Sequence, residues 1–176
     1  PAQRPQIAQR RTTPIHTQFH ALNRRTSRSR SMPHCMLRSM QIFDTLDRVD
    51  REKLAVLLAG SYWAADRPQE VVDRSLEGSM CFSAWEDGQM IGFARVITDR
   101  ATAAWLCDVI VDPDFRGRGV GKALIEAVLD HPELQTVRWM LATKDAQSLY
   151  ARYGFRNEVP PEMWMTRGFG RNLCPE

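Results

Sequence analysis

The stretch 111–130, "VDPDFRGRGVGKALIEAVLD", decides how the rest of the chain is read. Gly117, Gly119 and Gly121 alternate with Arg118 and Val120 and lead straight into an apolar periodicity. Val120, Leu124 and Val128, with Ile125 and Leu129, recur at helical spacing and predict a helix over 119–130. Just upstream, "AAWLCDVIV" is a nearly continuous apolar run, predicting a fully buried strand that Pro113 stops. A glycine turn from strand into helix exposes successive backbone N–H groups at the positive end of the helix dipole. Such a turn suits a phosphate, and glycine keeps Cβ atoms out of the anion's way.

Two common phosphate loops do not fit. G-x-x-x-x-G-K-[ST] fails because Ala123 follows Lys122 and Arg116 stands where the first glycine belongs. G-x-G-x-x-[GA] fails at its last position, which Lys122 or Leu124 occupies depending on the frame.

Outward from the loop, the elements alternate in an orderly way from Ser39 on. "MQIFDT" predicts a short strand, and Asp47 or Asp50 caps a helix over about 48–59 that Gly60 ends. Asp66 and Pro68 open a second helix, closed by Gly78. "SMCFSAW" and "QMIGFARVIT" pair as a hairpin through the turn Glu86-Asp87-Gly88. After the glycine loop come a strand, "VRWMLAT", a short helix, "DAQSLYARYGF", and a last strand, "EMWMTRG". The order β-α-α-β-β-β-α-β-α-β predicts a mixed α/β layer with helices packed on a sheet.

The spacing Arg116-x-x-Gly119-x-Gly121, behind "DVIVDPDF" and ahead of an amphipathic helix, resembles the [Q/R]-x-x-G-x-[G/A] signature of the GNAT superfamily of N-acetyltransferases. "LYARYGF" is similar to that family's Y-x-x-x-G-F element. The resemblance covers residues 40–167 and implies a single domain with helices on both faces of a mostly antiparallel, splayed sheet. It further implies acetyl-CoA as co-substrate and no metal. The main-chain groups of Val109, Ile110 and Val111 would then pair with the pantetheine arm, like an added strand. The backbone of Gly117, Arg118, Gly119, Val120, Gly121 and Lys122 would grip the pyrophosphate, with Arg116 closing the turn. Asp145 stands where the family often has Asn, so a pantetheine contact there stays open.

Amine attack on a thioester needs donors for the carbonyl oxygen, a base for the amine and an acid for the departing thiolate. The resemblance makes Tyr150 the acid and backbone N–H groups near Val109 the donors. Asp108, the one charge inside its strand, is either the base in a wet cleft or one half of an ion pair with Arg95 or Arg100. Tyr62 and Trp63 either line the acceptor site, stacking on a cationic or aromatic amine, or pin their loop to the core. Arg95 is a candidate for orienting an acidic acceptor. A CoA-binding module without catalysis is the alternative reading.

Composition bounds these readings. The net charge of +3 conceals eight arginines and no acidic residue in the first 39 positions, ahead of an acidic remainder. That basic, Ser- and Pro-rich stretch is expected to be disordered. It reads as a transit peptide, a nucleic-acid arm or an extension without a role. Residues 40–168 form the expected domain and 169–176 a tail. Cys35, Cys81, Cys107 and Cys174 show no metal-ligand spacing and fit a reducing, cytoplasmic setting. No apolar run is long enough to span a membrane. The expected partners are a small-molecule or peptide amine, with nucleic acid and membrane set aside, and a second copy of the chain along the apolar last strand.

Overall fold

The structure, a computed structural model, describes residues 40–157 and 163–165. Among the described residues, five strands form one sheet in sequence order: β1 (Gln41–Phe43), β2 (Met80–Glu86), β3 (Gln89–Thr98), β4 (Ala103–Val111) and β5 (Arg138–Met140). The first four are antiparallel neighbours, and β5 joins β4 in parallel. Four α-helices accompany them among the described residues: α1 (Arg51–Ala59), α2 (Gln69–Glu77), α3 (Val120–Leu129) and α4 (Gln147–Ala151).

Local chemistry sets the boundaries. Asp50 caps α1 by accepting from the Lys53 N–H at 2.9 Å. Asp87 and Gly88, with φ of 51° and 77°, turn the β2–β3 hairpin. His131 accepts from the Glu133 N–H and, with Pro132, closes the end of α3. The expected last strand falls mostly outside the described residues, as do the basic extension and the tail.

The sheet separates two cores. Met80, Phe82 and Ala84 of β2 pack with Val120, Leu124, Ile125 and Val128 of α3 and Tyr150 of α4. On the other face Cys81, Met90 and Phe93 pack with Leu54, Leu57 and Leu58 of α1 and Val72 and Leu76 of α2. β4 departs from the fully buried strand expected of its apolar run. Its residues alternate between buried and half-buried along its whole length, as side chains on opposite faces of a strand do.

Within β4 the alternation also changes face. Leu106 joins the α3 core, whereas Ile110, of the same parity, joins the α1–α2 core. A bulge explains the switch: Arg95 pairs with Cys107 but Phe93 pairs with Ile110, so β4 carries one residue more than β3. Asp108 occupies the bulge with φ of +49°.

Gly92 lets α3 approach the sheet. A Cβ there would lie 2.9 Å from Val120 Cγ1 and 3.0 Å from Leu124 Cδ1. Gly92→Val should therefore lift α3 and lower stability by about 1–3 kcal/mol, which urea unfolding followed by circular dichroism would measure.

Candidate functional site

β5 pairs with β4 only as far as Trp105 opposite Met140, while β4 runs on to Val111. On that side, among the described residues, no strand pairs with the β4 main chain beyond Trp105, which leaves a gap in the described sheet. The gap opens beside the bulge at Asp108 and ends at the glycine loop, so the three features share one end of the sheet.

The loop begins at Asp112, whose N–H still donates to the Ile91 carbonyl at 2.9 Å. The Asp112 carboxylate caps the 3-10 turn Pro113–Phe115 by accepting from the Asp114 N–H, and it pairs with Lys53 of α1 at 2.5 Å. Arg116 Nε donates to the Val111 carbonyl at 3.2 Å, closing the turn as expected. Gly117 and Gly119 have φ of +74° and +86°, and a Cβ on either would meet no atom within 4 Å. The backbone there faces open space, and the left-handed conformation itself demands glycine. The first helical bond of α3 runs from the Ala123 N–H to the Gly119 carbonyl. The N–H groups of Val120, Gly121 and Lys122 precede it and have no acceptor within the helix. This cradle fits an anionic phosphate.

Arg118 does not extend freely from the loop. Its Nη2 donates to both oxygens of the buried Glu86 at 2.7 and 2.9 Å, and its guanidinium lies 4.8 Å from the Phe115 ring centre. Glu86 is thus more than a turn residue: it anchors the loop. Lys122 is exposed, 3.8 Å from Glu126 one turn along.

Asp108 is held by two arginines. Its Oδ2 accepts from Arg95 Nε at 2.8 Å and from Arg67 Nη1 at 3.0 Å, and the side chain is 3 % exposed. Arg95, the expected orienter of an acidic acceptor, is buried and also donates to Ser79 Oγ at 3.1 Å. Arg67 had no place in the sequence reading. It lies in the α1–α2 loop and ties that loop to the bulge.

The same loop also meets the segment between β5 and α4. The Tyr62 hydroxyl accepts from the Lys144 N–H at 3.1 Å, and Lys144 Nζ lies 5.8 Å from the Tyr62 ring centre. Tyr62 is exposed, whereas Trp63 is half-buried against the α1–α2 core and meets Tyr62 edge to face at 4.9 Å. The Trp63 indole N–H is buried without a hydrogen-bond partner among the described residues.

Tyr150 lies buried on α4 with Phe155 edge-on at 5.8 Å. Burial, then the nearby Tyr62 and Asp145, push its phenol up to about 12. Asp145 is exposed, and Thr143 Oγ1 rather than Asp145 accepts the Ala146 N–H at the start of α4. Burial also pushes the Cys81 and Cys107 thiols to about 11, leaving both protonated at neutral pH. Among the described residues no group of three or more His, Cys, Asp or Glu gathers, and no helix is long and apolar enough to cross a membrane.

A family model described as an acetyltransferase (GNAT) domain matches residues 77–157. A solved structure from Xanthomonas campestris pv. campestris, described as a candidate acetyltransferase of the GNAT family, is 42 % identical, with a TM-score of 0.71. The alignment covers 78 % of this chain and 94 % of that one. A soybean (Glycine max) protein named histone acetyltransferase TAP1 is 39 % identical over 112 residues, 62 % of this chain and 45 % of its own length. An Arabidopsis thaliana protein named GCN5-related N-acetyltransferase 2, chloroplastic, is 37 % identical over 83 residues, 44 % of this chain and 31 % of its own. The chain thus spans less than half the length of these two curated relatives.

The Asp112 pair carries a pH signature. The Lys53 ammonium, donating to Asp112, is the largest influence and holds the carboxyl below its ordinary range, against the opposing effect of desolvation. Its contribution to stability is complete above the unfolded value of about 3.9 and is lost as pH falls through the lower folded value. Urea unfolding should show wild type more stable than Asp112→Asn at pH 7, with the difference shrinking below about pH 4.

Proposed function

Because the chain belongs to the GNAT family of acetyltransferases, we propose that it transfers an acetyl group from acetyl-CoA to a primary amine on a small molecule or a peptide. The observation that carries this reading is the meeting of strand gap, bulge and glycine loop at one end of β4. The backbone from Gly117 to Lys122 holds the pyrophosphate, with Arg116 closing the turn. The main chain of Val109, Ile110 and Val111, on the side β5 leaves uncovered, pairs with the pantetheine arm.

Acetyl-CoA, when bound, supplies the thioester that the amine attacks. An N–H at the bulge, that of Val109, donates to the carbonyl oxygen as negative charge gathers there. Tyr150 delivers its phenolic proton to the sulfur as the carbon–sulfur bond breaks. The hydroxyl carries its proton throughout the neutral range, as the acid must. Asp108 does not take the amine's proton in this scheme: both arginines already hold its Oδ2. The amine instead loses its proton to solvent at the cleft mouth. Tyr62 borders the acceptor, while Trp63 holds the loop against the core. The free thiols of Cys81 and Cys107 suit a reducing compartment such as the cytoplasm.

Calorimetric titration of acetyl-CoA into the full chain should show binding that Gly119→Glu abolishes, since a carboxylate in a left-handed turn meets both strain and phosphate repulsion. No binding by the wild type would overturn the transferase reading. With an amine found by screening, Tyr150→Phe should lower kcat by about 100-fold or more while leaving acetyl-CoA affinity unchanged. An unchanged kcat would remove Tyr150 as the acid, whereas acetyl-CoA binding with no screened amine acetylated would point to a binding module without catalysis.

A further inference from the structure

We propose that Arg67 is a positioning residue: through Asp108 it couples the acceptor-side loop to the bulge that aims the Val109 N–H. The inference rests on the transferase reading above and adds a role to a residue outside the glycine loop and the acid.

A bulge residue in the left-handed region is unfavourable for a residue with a Cβ, by about 1–2 kcal/mol. Asp108 adopts it at φ of +49° and sits next to the backbone that must present the donor. Something has to hold it there. Arg95 supplies one side of the hold from β3, the strand that faces the bulge, through its Nε at 2.8 Å. Ser79 in turn fixes the Arg95 guanidinium at 3.1 Å. That half is rigid and buried within the sheet.

The other half comes from a loop. Arg67 reaches Asp108 Oδ2 at 3.0 Å from the segment between α1 and α2. Its side chain is 23 % exposed, so this contact borders solvent while the Arg95 contact does not. The loop has a second attachment, the Tyr62 hydroxyl on the Lys144 N–H. Lys144 lies between β5 and α4, the helix that carries Tyr150, and Tyr62 lies close enough to Tyr150 to raise its pKa. One short segment therefore touches the bulge through Arg67 and the surroundings of the acid through Tyr62. A shift of the loop on acceptor binding would move both ends of the reacting centre together.

The carboxylate is the right group for this coupling. A single oxygen shared by two guanidiniums has its position set by both, and each bond is charge-assisted. Losing Arg67 leaves Asp108 paired with Arg95, so the buried charge is still compensated and the fold survives. What changes is the direction in which the bulge is held.

The test reads the carbonyl directly. Acetyl-CoA labelled with 13C at the thioester carbonyl is bound to the full chain, and the C=O stretch is recorded by difference infrared spectroscopy. Wild type should lower the frequency relative to acetyl-CoA in solution, as a well-aimed donor does. Arg67→Met should bind acetyl-CoA yet return the band toward its solution position, and Arg67→Lys should fall between the two. Thermal unfolding monitored alongside should show the variants folded. An unchanged band in a folded Arg67→Met protein would overturn the coupling and leave Arg67 a structural tether. Binding by the wild type with no band shift would overturn it too, since no donor would then be aimed. Failure of the wild type to bind acetyl-CoA at all would instead sink the transferase reading, and the coupling with it.

Discussion

A buried carboxylate that accepts two guanidiniums on one oxygen is the interaction on which the working end of this protein depends. Asp108 interrupts an apolar strand, and left alone it would cost several kcal/mol to desolvate. Paired with Arg95 and Arg67 it becomes the fixed point of a bulge. The bulge exchanges the faces of β4, sending Leu106 to one core and Ile110 to the other. The bulge lies beyond the last β4–β5 pair, Trp105 with Met140, at the end of the strand that holds the candidate site.

The loop beyond the gap depends on two further ion pairs between distant elements. Lys53 of α1 holds Asp112 at the loop's start, and Glu86 at the β2–β3 turn holds Arg118 at its middle. Exposed pairs are worth little, but Asp112 and Glu86 are both buried and each partner comes from a different element. Their effect is to fix where the glycines stand relative to the sheet. The left-handed angles at Gly117 and Gly119 then complete the cradle.

Much of this was legible in the sequence. Glycine spacing, the amphipathic run after it and the hairpin turn at Asp87-Gly88 are local signals, and each appeared where expected because neighbouring residues determine it. The pattern "LYARYGF" marks Tyr150 as a candidate from a short stretch on one helix. Asp108 was conspicuous as a lone charge, though its partners were not fully identifiable: Arg67 is 41 positions away. Glu86 and Arg118, 32 apart, were likewise joined only by the fold. Lys53 carried no local mark at all. The alternating burial of β4 has no mark in the sequence, because an apolar run looks the same whether its two faces are covered equally or not. The bulge had no signature beyond Asp108 itself, since a register shift is a property of two strands.

The close seat of α3 on Gly92 has a thermodynamic consequence for any anion arriving at the loop. With Val120 and Leu124 pressed against β3, the first turn of α3 has little freedom to lose. Its free N–H groups are oriented before the ligand comes. Binding there forgoes most of the entropic penalty that a floppy glycine loop would incur on ordering. Affinity for an anion there can accordingly rest on a few backbone donors, without a dedicated side chain reaching over it.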